Sequence, residues 1–189
     1  MRSTGRHLLA AACASALLLT GCAASTQGSP VASGDSSTEP TVAAVPGEPF
    51  DPCTIPKSAV TASGLDLSSE RPDFAGISKY PGWKNCTWDG PTAKPWYYLA
   101  IMSSTNSIDE YLRNPENDRQ VAVRVGSRDA VQYHAPYQND LPDGCDIALD
   151  VGGNLIIFKL DTIGSEETLG DTCEEVNVLA TNLEPYFPN

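Results

Sequence analysis

Four cysteines, Cys53, Cys86, Cys145 and Cys173, are spread through this 189-residue chain after residue 50, and they limit its fold more than any other feature. In an exported domain an even set of cysteines reads as disulfides, whereas in a reducing compartment the same set reads as metal ligands or catalytic thiols. The compartment is therefore the first question.

The N-terminus answers it. Arg2 and Arg6 precede an uncharged, mostly apolar run from Leu8 to Leu19, which leads into Leu19-Thr20-Gly21-Cys22. The run falls short of the roughly 20 residues that a spanning helix needs, and the order of charge, apolar stretch and small residues reads as a cleaved export signal. Leu, a small residue, Gly and Cys resemble the bacterial lipobox, in which the cysteine thiol becomes a thioether to diacylglycerol. The expectation is a signal over residues 1–21, lipidation at Cys22, and anchorage on the extracytoplasmic face of the cell membrane. Two acyl chains suffice for stable anchoring where one does not. Cys13 leaves with the signal.

Residues 22–49 are rich in Ser, Ala, Thr, Gly and Pro and lack apolar periodicity. Such a stretch cannot bury enough surface to offset its ordering entropy, so it reads as a disordered tether with a reach of about 30 Å. Residues 50–189 then form a single domain large enough for a real core.

In that setting the four cysteines are expected to pair. Three pairings exist, and sequence alone does not select one. Cys53–Cys86 with Cys145–Cys173 is favoured because each pair ties a helix start to a nearby strand; each bond would stabilise by roughly 3–4 kcal/mol. Zinc is the competitor, but there is no Cys-x-x-Cys and only one histidine, His134, remains after cleavage. No metal and no cofactor is expected.

The acidic balance excludes some partners. The chain has 12 Lys and Arg against 24 Asp and Glu, and Arg2 and Arg6 would leave with the signal. Nucleic acids and anionic lipid surfaces favour basic proteins, so the expected membrane attachment runs through the lipid and no nucleic acid is expected. Solubility is the plainer account of the acidity, and an acidic face for a basic partner is the alternative.

Periodicity and punctuation outline the elements. A short helix opens at Pro52-Cys53 and ends at Gly64. Residues 66–83 read as a loop. Lys84–Asp89 and Trp96–Ser103 read as strands, and Ser107 with Glu110 fits a capping box for a helix that stops before Pro115. Gln120–Val125, Arg128–His134, Cys145–Val151 and Leu155–Leu160 read as strands, the last two flanking Gly152-Gly153-Asn154. Asp171 caps a final helix with Glu174 at the reciprocal position and an apolar stripe of Val176, Leu179, Ala180 and Leu183. The fold class is α+β: an antiparallel sheet of about six strands, helices packed on one side, and two disulfides.

Phe50-Asp51-Pro52-Cys53 before a short helix, Cys86-Thr87-Trp88 in a strand, Cys145 opening a hairpin and Asp171-Thr172-Cys173 opening the last helix occur here in order. With the lipobox, they resemble the actinobacterial lipoproteins of domain-of-unknown-function family 3558. That resemblance implies an envelope location and a disulfide-stapled α+β domain, and lends no catalytic or binding residue.

No catalytic residue stands out. His134 and Ser127 lack a Gly-x-Ser-x-Gly elbow, Asp140, Asp143, Asp146 and Asp150 lack calcium-loop spacing, and Gly152-Gly153 sits in a hairpin rather than before a helix. The aromatics say more. Tyr80, Trp83 and Trp96 are taken as ligand-contact candidates, because aromatics in a Pro/Gly-rich loop favour ligand or protein contact. A loop folded back over the sheet is the plainer explanation. The expected function is a non-enzymatic module binding an envelope protein or a small ligand. The alternatives are an accessory subunit of an envelope complex and a cell-wall or glycan hydrolase.

Overall fold

The computed structural model describes residues 47–74, 76–77, 80–91, 93–135 and 144–188; Asp140 and Asp143 lie outside them. Seven strands form one antiparallel sheet: β1 (Asp66–Arg71), β2 (Trp83–Asp89), β3 (Tyr97–Ser104), β4 (Asp118–Val125), β5 (Arg128–His134), β6 (Cys145–Val151) and β7 (Asn154–Thr162). Their order across the sheet is β1-β2-β3-β7-β6-β5-β4. Two meanders, β1 to β3 and β4 to β7, therefore meet at the β3–β7 seam. Helix α2 (Ile108–Leu112) lies in the crossover between them, and α1 (Lys57–Ala62) and α3 (Thr172–Leu183) complete the helices. The architecture is α+β, mostly sheet. No helix among the described residues is long and apolar enough to cross a membrane.

The sheet has one strand more than its sequence suggested, because β1 falls within the stretch read as a loop. Its sequence, DLSSER, has no apolar alternation. Polar side chains hold it instead: Ser69 Oγ accepts the Asp89 N–H at 2.8 Å and Arg71 pairs with Asp89 at 3.0 Å. The first helix also divides. Ile55 precedes a proline and takes the extended ψ that such a residue favours (ψ 134), so a 3-10 turn at Pro52–Thr54 stops there and α1 restarts after Pro56. Ser107 occupies the N-cap of α2 without a side-chain capping bond. Asp171 does cap α3, accepting the Cys173 and Glu174 N–H groups at 2.8 and 2.9 Å.

Gly152 and Gly153 close the β6–β7 turn with φ of 59° and 83°, the left-handed pair that a tight hairpin requires. The register from Val151↔Asn154 to Cys145↔Leu160 follows. It sends Ile147, Leu149, Ile156, Phe158 and Leu160 to one face, where Val176, Leu179, Ala180 and Leu183 of α3 join the same buried core. Cys53–Cys86 and Cys145–Cys173 are disulfide-bonded; the first ties the 3-10 turn to β2 and the second ties β6 to the first turn of α3. Trp88 is fully buried, its Nε1–H donating to Glu70 Oε2 at 3.1 Å.

Candidate functional site

The opposite face of the sheet is the unusual one. The register aligns Thr87, Ala100, Lys159, Asp146 and Tyr133 in one row across β2, β3, β7, β6 and β5. Asp89, Tyr98 and Asp161 form the row on one side, and Met102, Ile157 and Ala148 the apolar row on the other. Lys159 and Asp146 are each 1 % exposed and Asp161 is 5 % exposed. Charges are rarely buried unless paired, and these are: Lys159 Nζ lies 3.1 Å from Asp161 Oδ2 and 3.6 Å from Asp146 Oδ1. Tyr98 donates its hydroxyl to Asp161 Oδ2 at 2.8 Å. Burial first, and then the Asp161 carboxylate, pushes the Tyr98 phenol far above its usual range, which keeps it a neutral donor.

Two segments cover this face. The first follows β1: Thr87 donates its hydroxyl to the Asp73 carbonyl, and in the amide orientation that satisfies both groups the Asn85 oxygen accepts the Phe74 N–H at 3.0 Å. The Phe74 ring then stands 5.8 Å from Lys159 Nζ, within cation–π range. The second is α2, which joins Tyr133, Ala148, Leu155 and Ile157 in a separate small core through Ile108, Tyr111 and Leu112. Helix α2 thus packs on the side opposite α3. The Tyr111 and Tyr133 hydroxyls meet at 3.0 Å, and the Trp83 ring stands edge-on to Tyr111 with centroids 6.1 Å apart.

The three aromatics singled out in the sequence are separated. Trp96 is 6 % exposed, part of the main core, and T-shaped against Tyr97 at 4.8 Å; a residue so enclosed packs the fold and offers no contact surface, which corrects its place among the ligand candidates. Tyr80 is half-buried, its carbonyl accepting the Trp83 N–H at 3.0 Å. Trp83 is half-buried too and, with Lys84, Asn85, Pro72, Asp51 and Cys53, lines a groove of about 140 Å³. Sequence reasoning missed Tyr111, Tyr133, Lys159, Asp146 and Asp161 as neighbours, because only the register brings them together.

Ser127 and His134 sit at opposite ends of β5. Ser127 bonds Glu184 Oε1 at 3.2 Å, so the pair is not assembled for nucleophilic chemistry. What the face can do is hold a fixed field: a cation between two carboxylates, roofed by an aromatic ring and bordered by a half-open Trp–Tyr edge. A family model described as "Protein of unknown function (DUF3558)" matches residues 17–186, a span that takes in Cys22 and the four disulfide cysteines. No curated protein and no solved structure matches the chain.

Proposed function

This chain belongs to the DUF3558 family of proteins of unknown function, and on that premise we propose that it is a lipid-anchored lipoprotein of the cell envelope whose folded domain binds a protein partner or a small ligand. The address rests on Leu19-Thr20-Gly21-Cys22 behind an export-type leader. The observation that carries the binding reading is the half-buried Trp83 set edge-on to Tyr111. A large rigid ring such as Trp83 at a partly open groove gives contact area at little entropic cost.

Two experiments test this reading. Cys22→Ser is expected to move the protein from the membrane fraction to the medium after signal removal, because no thioether can form; a processed mutant that stays on the membrane would sink the anchor. For binding, in-cell crosslinking of the lipidated protein should yield a discrete partner whose capture falls at least tenfold in Trp83→Ala. If Trp83→Ala and Tyr80→Ala both leave every crosslinked species and every bound small molecule unchanged, the binding reading fails and the anchor stands.

A further inference from the structure

A second cluster lies on the helix side, apart from the aromatic edge. His134 ends β5, Cys145 opens β6, and Cys173 is the second residue of α3. The β5–β6 register ends at Tyr133 with Asp146, and His134 and Cys145 are the next residues along each strand. His134 Nε2 stands 3.8 Å from Cys173 Sγ, and one ligand atom from each of the three residues lies within 4.8 Å of the others. Cys145 is fully buried, whereas Cys173 reaches a surface groove of about 510 Å³ lined also by Gln132, Glu174, Asn177 and Val178.

We propose that reduction of the Cys145–Cys173 disulfide opens a Cys145–Cys173–His134 site for a thiolate- and imidazole-preferring metal ion such as Zn2+. The reductant is a dithiol. Its two S–H groups become one S–S bond, and the two electrons and two protons pass to Cys145 and Cys173, whose S–S bond breaks. The metal then displaces both thiol protons to solvent, forming two metal–sulfur bonds and one metal–nitrogen bond.

The geometry suits this set. With Zn–S near 2.3 Å and Zn–N near 2.0–2.1 Å, tetrahedral ligands sit roughly 3.6 Å apart for N and S and about 3.8 Å apart for the two sulfurs. His134 Nε2 stands 3.8 Å from Cys173 Sγ, close to the first separation, and the ring offers a nitrogen within 4.8 Å of Cys145 Sγ. The second needs a side-chain rotation, for which the open groove beside Cys173 leaves room. Cys173 lies in the first turn of a 12-residue helix, where the macrodipole favours a thiolate. With three ligands from the chain, a fourth position would be left for water or an added ligand. Among the described residues, Cys53 and Cys86 belong to no such metal-ligating group, which makes that disulfide an internal control. The one histidine left after signal cleavage, which as a sequence feature argued against zinc, stands at the one pair that can use it.

The test uses the full chain with Cys13→Ser and Cys22→Ser, so that only the four domain cysteines remain. After anaerobic reduction it is titrated with Zn2+ against a chromophoric chelator, and with Co2+ for its spectrum. The reduced protein is expected to take up one equivalent of Zn2+ and the oxidised protein none, with a thiolate-to-cobalt charge-transfer band in the Co2+ form. His134→Ala should weaken uptake at least tenfold. Cys145→Ser with Cys173→Ser should abolish it, while Cys53→Ser with Cys86→Ser should retain it. Three results would each overturn the proposal: no uptake on reduction, equal uptake by His134→Ala, or a reduced chain that loses its near-UV dichroism and does not regain it with Zn2+.

Discussion

Replacing Lys159 with methionine is expected to cost about 3–5 kcal/mol of folding stability, the range for removing one partner of a buried ion pair. The substitution nearly conserves volume, so cavity formation contributes little. What changes is charge: Asp146 and Asp161, 1 % and 5 % exposed, are left in one low-dielectric space without the ammonium between them. The deficit relative to the parent is read from urea midpoints. Adding Asp146→Asn to Lys159→Met should recover part of the loss, because it removes one of the two carboxylates that faced the ammonium. A single-variant loss under about 1 kcal/mol would show that the ammonium is not the group holding this face together.

Nothing in the local sequence announces that cluster. Leu155 to Phe158 is a continuous apolar run, and a lysine next in line reads as a residue turned to solvent on a half-buried strand. It is buried because Phe74 and α2 cover the second face, and that covering depends on contacts between segments far apart in sequence. The opposite face was easier to read. Ile147, Leu149 and Val151 alternate, and Val176, Leu179, Ala180 and Leu183 recur at helical spacing, so both patterns state which side is buried. β1 was hidden for a different reason: Ser69, Glu70 and Arg71 hold it by specific polar bonds, and such bonds leave no periodic trace. His134 illustrates the limit at a site. It lies 39 residues from Cys173, and only the β5–β6 register together with the start of α3 places the two side by side.

Phe158→Ala is expected to cost about 3–5 kcal/mol, the usual range for truncating a buried phenylalanine. Phe158 is fully buried near the middle of β7. Its ring meets Phe187 edge-on at 5.6 Å, and Phe187 meets Phe50 at 5.2 Å. Phe50 is further tied to the sheet by its N–H, which donates to Asn154 Oδ1 at 3.1 Å. The first buried residue of the domain and the last aromatic of its C-terminal segment thus converge on one strand. Truncating Phe158 removes the ring that Phe187 packs on, and with it the support through which Phe50 reaches the sheet by its ring, so the cost belongs at the upper end of the range. The ladder also predicts coupling. In a double-mutant cycle Phe158→Ala and Phe187→Ala should be non-additive by about 0.5–1.5 kcal/mol, the worth of an aromatic pair beyond its buried area. Phe158→Leu keeps most of the volume but no ring edge, and separates the two contributions: it should restore much of the stability and none of the coupling. If Phe158→Ala and Phe187→Ala instead add independently, the two ends of the domain are held by separate contacts and the ladder is only a juxtaposition.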